Sequence, residues 1–223
     1  MTETLLPKAV AELIGAFTLV FVGVLTIANG ASLVGAALAQ GLAIGVMVAA
    51  LGHVSGGHFN PAVTFAFWLS RRISGAQAGV YCAAQLLGGL IAALIVAGLL
   101  SRAAVGAGTP QLAEGVSMVP AILAEAVATF FLVLVILGTV LDRRAPASVY
   151  PFAIGLTITA GIFAIGPLTG AALNPARGFG PALVSGEWGA LGAWLIGPLL
   201  GAALAWAVFE YVLAPAPEVT QEV

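Results

Sequence analysis

The sequence predicts an all-α membrane protein with six transmembrane helices and two re-entrant half-helices, arranged as an inverted repeat of three spans and three. Three observations carry that prediction. Of the 223 residues, 61% are hydrophobic and 7% are charged, and mean hydropathy is +1.13; a soluble domain typically carries about 25% charged residues. Six stretches have the ~20 mainly apolar residues that a bilayer-spanning helix needs. One short segment also occurs twice. Residues 52–64 read Gly-His-Val-Ser-Gly-Gly-His-Phe-Asn-Pro-Ala-Val-Thr, and 166–177 read Gly-Pro-Leu-Thr-Gly-Ala-Ala-Leu-Asn-Pro-Ala-Arg. The chain has three Asn residues, and two of them, Asn60 and Asn174, open these Asn-Pro-Ala tripeptides 114 positions apart.

Taken in order, the first span runs over 8–28. Lys8, at its start, is the only basic residue before the long apolar run, and no cleavage site is evident, so it reads as a spanning helix rather than a cleavable signal. The second span, 34–52, runs directly into the first Asn-Pro-Ala loop. The apolar stretch that follows, 60–69, is too short to cross a bilayer and reads as a half-helix. The third span is 78–99, and a Gly- and Pro-rich loop is expected over 101–119. The fourth span, 120–141, leads through a second loop, 142–149, to the fifth, 150–166. That one runs into the second Asn-Pro-Ala loop and a second half-helix, 174–184. The sixth span is 189–213. From Pro215, with Glu218 and Glu222, a solvated tail is expected. Broken helices at membrane depth are tolerated only where buried in protein or lining a water-filled path.

The halves correspond: Ala11-Glu12-Leu13 with Ala124-Glu125-Ala126, Gly41 with Gly155, and Gln85-Leu86-Leu87-Gly88 with Pro198-Leu199-Leu200-Gly201. The chain therefore reads as one domain over 1–223, with repeats at about 8–100 and 120–213 and a tail at 214–223. Three spans per half is an odd number, so the second half is inserted upside down. Such repeats place the functional site at the midplane between them. With the N-terminus inside, the cytoplasmic segments hold Lys8, Arg71, Arg72, Arg143 and Arg144, whereas Arg102 and Arg177 fall outside. The positive-inside rule is obeyed.

Asn before Pro is a helix-start pattern: Asn60 and Asn174 cap, while Pro61 and Pro175 take the first helical position ahead of Ala62 and Ala176. Inversion brings the two half-helix N-termini together near the membrane centre, each with about half a positive charge and unpaired N–H groups. The Asn amides would present donors to a water between them. Its oxygen faces those donors, which breaks a proton wire and repels cations. Backbone carbonyls of Gly56, Gly57 and His58, and of Gly170, Ala171 and Ala172, supply acceptors along the two half-paths, where small residues let the backbone approach closely. His53 and His58 have no carboxylate or thiol partner that would complete a metal site. Cys82 is the only cysteine, so no intrachain disulfide is possible. Trp68, Trp188, Trp194 and Trp206 with Tyr150 and Tyr211 read as interfacial anchors. A net charge of −2 without a basic patch excludes nucleic acid as a partner; no cofactor or metal is expected.

These paired Asn-Pro-Ala motifs, with Arg177 after the second, resemble the aquaporin (major intrinsic protein) family over about 8–213, and the first loop is similar to that of bacterial water channels. The resemblance implies a six-helix bundle with two half-helices, one pore per protomer and a homotetramer. It places the four selectivity-filter positions on Gln40, Ile162, Ala171 and Arg177. It also implies that Glu12 and Glu125 are structural, each accepting hydrogen bonds from an Asn-Pro-Ala loop, rather than proton relays. Departures from the family pattern sit in the filter. Water-specific members carry Phe and His where Gln40 and Ile162 stand, which implies a wider opening. Glycerol-conducting members carry Asp where this chain has Gly178, although Leu195 fits their pattern.

The function read from these features is a passive channel for water and small uncharged solutes, closed to ions and protons. One alternative is a broader facilitator of glycerol, metalloid acids or hydrogen peroxide, with water secondary. An ion-coupled transporter shares inverted repeats and broken helices, but it needs titratable or ion-coordinating groups at the midplane, and no span here contains Asp. Without a nucleophile–base pair, enzymatic activity is not expected. Short loops and an Ala-rich composition point to a prokaryotic cytoplasmic membrane.

Overall fold

The structure, a computed structural model, describes residues 4–146 and 148–214; the tail expected from Pro215, with Glu218 and Glu222, lies outside them. Among the described residues nine α-helices follow in order: α1 (Leu5–Ala28), α2 (Leu33–Ser55), α3 (Pro61–Leu69), α4 (Gly75–Leu99), α5 (Arg102–Gly108), α6 (Met118–Ile136), α7 (Tyr150–Thr169), α8 (Pro175–Ser185) and α9 (Leu191–Val208). α6 and α9 each continue into a π-helical turn, Leu137–Leu141 and Phe209–Leu213. Six of these helices are long and apolar enough to span a membrane, and α3 and α8 are the half-helices.

The local sequence accounts for most of the boundaries. Ser32 and Ser74 cap α2 and α4, accepting from Gly35 N at 3.3 Å and Gln77 N at 3.1 Å. α2 and α7 run further than apolarity suggested, to Ser55 and Thr169, because nothing stops them before Gly56 and Gly170. Those glycines close the helices in the left-handed conformation, at φ 96° and 78°. The stretch 101–119, expected to be loop throughout, instead contains α5. Ser101 caps it by accepting from Ala104 N, and Arg102 Nε donates to Val184 O at the end of α8. α3 ends in a Schellman motif, with Arg71 N on Trp68 O and Arg72 N on Phe67 O. The left-handed residue there is Arg71, at φ 55°. Glycine usually fills this place, because any other residue pays roughly 1–2 kcal/mol.

The bundle is apolar outside and carries its polar groups inside. Val119, Phe152, Leu156 and Leu204 are exposed, while Glu12, Gln85, Glu125 and Thr129 have no exposed surface. α1 packs on α4 and α6 on α9 as matching pairs, and α2 packs on α7 across the repeats. The matching pairs approach through matching glycines: Gly88 lies on the Leu13 carbonyl and Gly201 on the Ala126 carbonyl, so a Cβ at either would strike backbone. α3 packs against α9 and α8 against α4, so each half-helix is held by the third span of the other repeat. One expected anchor is corrected. Trp194 is not interfacial but buried, 2% exposed, with its ring filling the space left by Gly178.

Candidate functional site

Two loops of the same backbone shape meet at the centre. After Gly56 and Gly170, left-handed residues recur at Gly57 and Phe59 in the first loop and at Ala171 and Leu173 in the second. This alternation turns successive N–H groups toward a carboxylate. Glu12 accepts from His58 N at 3.0 Å and Phe59 N at 2.6 Å, and Glu125 accepts from Ala172 N and Leu173 N, both at 2.8 Å. Each carboxylate also takes a hydroxyl from the end of the preceding span, Ser55 at 2.6 Å and Thr169 at 2.7 Å. Those hydroxyls in turn accept from Gly57 N and Ala171 N at 3.1 Å. Charge-assisted bonds of this kind are the stronger class. Glu12 has one further donor, Gln85 Nε2 at 2.6 Å, whereas Pro198 stands at the matching position and can donate nothing.

The loops deliver Asn60 and Asn174 into the caps of α3 and α8, where their Oδ1 atoms accept from Ala62 N at 2.8 Å and Ala176 N at 2.9 Å. Their amides then cross between repeats. Asn60 Nδ2 donates to Leu173 O at 2.8 Å, and Asn174 Nδ2 donates to Phe59 O at 2.9 Å. An amide nitrogen carries two hydrogens, so each Asn keeps one beyond this bond. The two half-helices are thereby latched to each other with both positive ends facing the same space.

That space is a cavity of about 20 Å³, and both Asn residues line it. A water needs about 10–15 Å³ by this measure, so the void is sized for water in single file. One side is loop backbone, from Gly57 to Asn60 and from Ala171 to Asn174. The rest is mostly apolar, Leu19 from α1, Ile44 from α2, Val63 from α3, Leu132 and Ile136 from α6, and Ile154, Ile158 and Ile162 from α7, with Gln40 from α2 the polar member.

The structure brings most of the expected residues to this cavity, but not all. Gln40, Ile162, Ala171, Gly57, His58 and Ala172 line it. Gly56 and Gly170 do not; they end α2 and α7 behind it. Pro61, Ala62, Pro175 and Ala176 form the first turns of α3 and α8. Gln40 folds back along its own helix, donating to Ala36 O at 3.2 Å and lying over Gly23. The His58 ring anchors the loop, with Nδ1 3.1 Å from Thr64 Oγ1 and packing against Phe67 and Tyr81. Arg177 lies off the cavity lining. It is 2% exposed, with Nη1 donating to Gly108 O at 2.8 Å and Nε without a partner among the described residues. Among those residues no cluster of His, Cys, Asp and Glu could hold a metal.

Several contributors escaped sequence reasoning. Ser55 and Thr169 sit at matching places before the two Asn, which was a usable signal. Ile154 and Ile158 stand at helical spacing before Ile162, but in an apolar span that pattern does not distinguish a pore wall from a lipid face. Gly108, which holds Arg177 through its carbonyl, carried no signal.

An apolar bundle whose halves meet through two half-helix N-termini around a water-sized void defines a membrane channel. The family model of the major intrinsic proteins matches residues 1–209. The chain is 43% identical over 212 residues to aquaporin TIP4-4 of Zea mays, spanning 90% of this chain and 84% of the relative. It is 38% identical over 225 residues to aquaporin NIP1-1 of Oryza sativa, covering 96% and 78%, and 38% identical over 230 residues to nodulin-26 of Glycine max, covering 97% and 82%. In fold it matches the aquaglyceroporin of Plasmodium falciparum with a TM-score of 0.84 at 23% identity, over 95% of this chain and 98% of that one. The chain belongs to the major intrinsic protein family. It is a multi-pass membrane protein and a passive channel for water and small solutes, not an enzyme.

Proposed function

We propose that this chain conducts water first and small uncharged solutes second, in single file past Asn60 and Asn174, and excludes ions and protons. The observation that carries the reading is the pair of caps whose amides cross between repeats at the edge of a cavity of about 20 Å³. A cation entering there would lose its hydration against an isoleucine and leucine wall while meeting two helix N-termini of like sign. A water would keep hydrogen bonds on one side and turn its oxygen to the remaining Asn hydrogens, so no proton wire runs through. In this reading Gln40, Ile162, Ala171 and Arg177 form the outer filter, and the carbonyls of Gly56, Gly57, His58, Gly170 and Ala172 line the approaches. The whole chain, 1–223, acts as one channel domain. A homotetramer with one pore per protomer rests on family resemblance.

A second reading, facilitation of glycerol, metalloid acids or hydrogen peroxide with water secondary, draws on the filter positions. Neither Gln40 nor Ile162 offers the aromatic ring that narrows a water-only filter. The N-terminus-inside orientation is supported by the basic residues. The cell membrane of a prokaryote is supported by composition and short loops alone, and the plant relatives give it no support.

Stopped-flow light scattering on proteoliposomes tests the choice. Rapid shrinkage in sucrose with slow or no re-swelling in glycerol is expected. Fast re-swelling in glycerol would establish the broader facilitator, and an ion or proton current through the same vesicles would overturn both readings.

A further inference from the structure

Away from the pore, a recess of about 560 Å³ opens between the end of α3 and the end of α9. It is lined by Trp68, Ser70 and Arg71 on one side and by Trp206, Glu210 and Tyr211 on the other. Three buried polar atoms at its wall have no partner among the described residues: Ser70 Oγ, Trp206 Nε1 and Glu210 Oε2. Ser70 is 8% exposed. Buried polar atoms are normally satisfied, so three orphans around one recess point to an absent ligand. Arg71 supplies a second, independent observation. It occupies the left-handed position of the α3 terminus, at φ 55°, where glycine would be at ease, and strain of this kind is kept where a side chain is needed. Among the described residues Arg71 has no ion-pair partner, Glu210 included.

The chemistry of the recess selects its ligand. Arg71 and the Trp206 indole only donate, which suits a phosphate; Glu210 only accepts, which suits an ammonium that still carries N–H groups. One positive and one negative side chain together suit a ligand with no net charge. Trp68, Trp206 and Tyr211, the last two edge-on at 5.7 Å, are the residue types that mark headgroup depth in a bilayer. We propose that this recess is a binding site for the headgroup of a phosphoethanolamine lipid, with its phosphate on Arg71 and Trp206 and its ammonium on Glu210. Choline keeps the charge but has no N–H, so it would meet Glu210 without the hydrogen bond that an ammonium donates. An anionic glycerol headgroup can offer Glu210 a hydroxyl but no positive charge, and so forgoes the charge-assisted contact.

The full chain, purified in detergent, is titrated with phosphatidylethanolamine, phosphatidylcholine or phosphatidylglycerol of the same acyl chains, and bound lipid is counted by native mass spectrometry. Phosphatidylethanolamine is expected to be retained at least about tenfold better than either of the others, from one charge-assisted contact more. Glu210→Gln should bring it down to the phosphatidylcholine level. Arg71→Gly, which relieves the backbone and so keeps the fold, should weaken retention of all headgroups with a phosphate. Water flux should be unchanged in both variants, so this test stands apart from that of the pore. Equal retention of phosphatidylcholine by the unaltered chain would overturn the proposal, and so would preference for phosphatidylglycerol. Retention unaffected by both substitutions would do the same.

Discussion

At the scale of single residues, the two buried glutamates explain why the central loops hold so unusual a shape. Glu12 satisfies four donors and Glu125 three, most of them backbone N–H groups of the loops that carry the Asn residues. Removing either carboxylate strands those donors away from water, at about 1–3 kcal/mol each. Glu12→Ala and Glu125→Ala should therefore both lower thermal stability in detergent and abolish flux, with Glu12→Ala the worse. The reverse order would mean that Gln85, the donor without a counterpart in the second repeat, adds nothing. The filter makes a separate prediction. Gln40→Phe together with Ile162→His introduces two rings at positions that line the cavity, and glycerol flux should fall more than water flux in the same vesicles. Equal loss of both would remove these residues from the constriction. Both glutamates and both Asn-Pro-Ala motifs were legible in the sequence because a charge or a helix start inside an apolar span is costly unless a built polar centre receives it. Phe59 and Leu173 were not, since nothing about their side chains announces a left-handed backbone.

At the scale of helices, boundaries followed capping chemistry, and packing followed glycine. α2 meets α7 across the repeats where Gly41 faces Gly155, and a Cβ on Gly155 would lie 2.6 Å from the Gly41 carbonyl. Backbone cannot yield as a flexible side chain can. Gly41→Ala should force the helices apart and cost roughly 1–3 kcal/mol, read as a lower unfolding temperature. Gly79, on α4, has nothing within 4 Å of a built Cβ, so Gly79→Ala should be neutral or stabilising, by up to about 1 kcal/mol. A Gly41→Ala protein as stable as Gly79→Ala would show that the α2–α7 contact is soft. α5 was invisible for the opposite reason. Its seven residues hold three alanines and a valine but also two glycines, and a helix that short is marginal until contact with α8 and α1 holds it. That short helix sets Gly108 under Arg177, so the least legible element positions the largest buried side chain among the described residues. The segment between α6 and α7 is held differently. Arg144 pairs with Asp142 at 2.6 Å and donates to Leu213 O, and this pairing keeps the Asp142 carboxyl down at about 2. Being lowered, it leaves the pair intact above the usual carboxylate range and loses it only as pH falls through about 2.

At the scale of the whole molecule, inversion assigns each loop to one side of the membrane, and the structure gathers the charges accordingly. Arg71 lies with the end of α9 in the lipid recess, and Arg144 bonds to the carbonyl of Leu213 at that same end. Arg102 is at the other, against the end of α8. On the proposed orientation Lys8, Arg71, Arg72, Arg143 and Arg144 share the cytoplasmic side, as the positive-inside rule expects. The prediction needs one cysteine at a time, and the chain offers a clean background because Cys82 is its only thiol. In Cys82→Ser, a membrane-impermeant maleimide applied to intact cells should label Arg102→Cys and leave Arg143→Cys untouched until the membrane is opened. Labelling of Arg143→Cys from outside would reverse the orientation. It would also carry the lipid recess to the outer leaflet, because Arg71 and Arg144 share the end of α9.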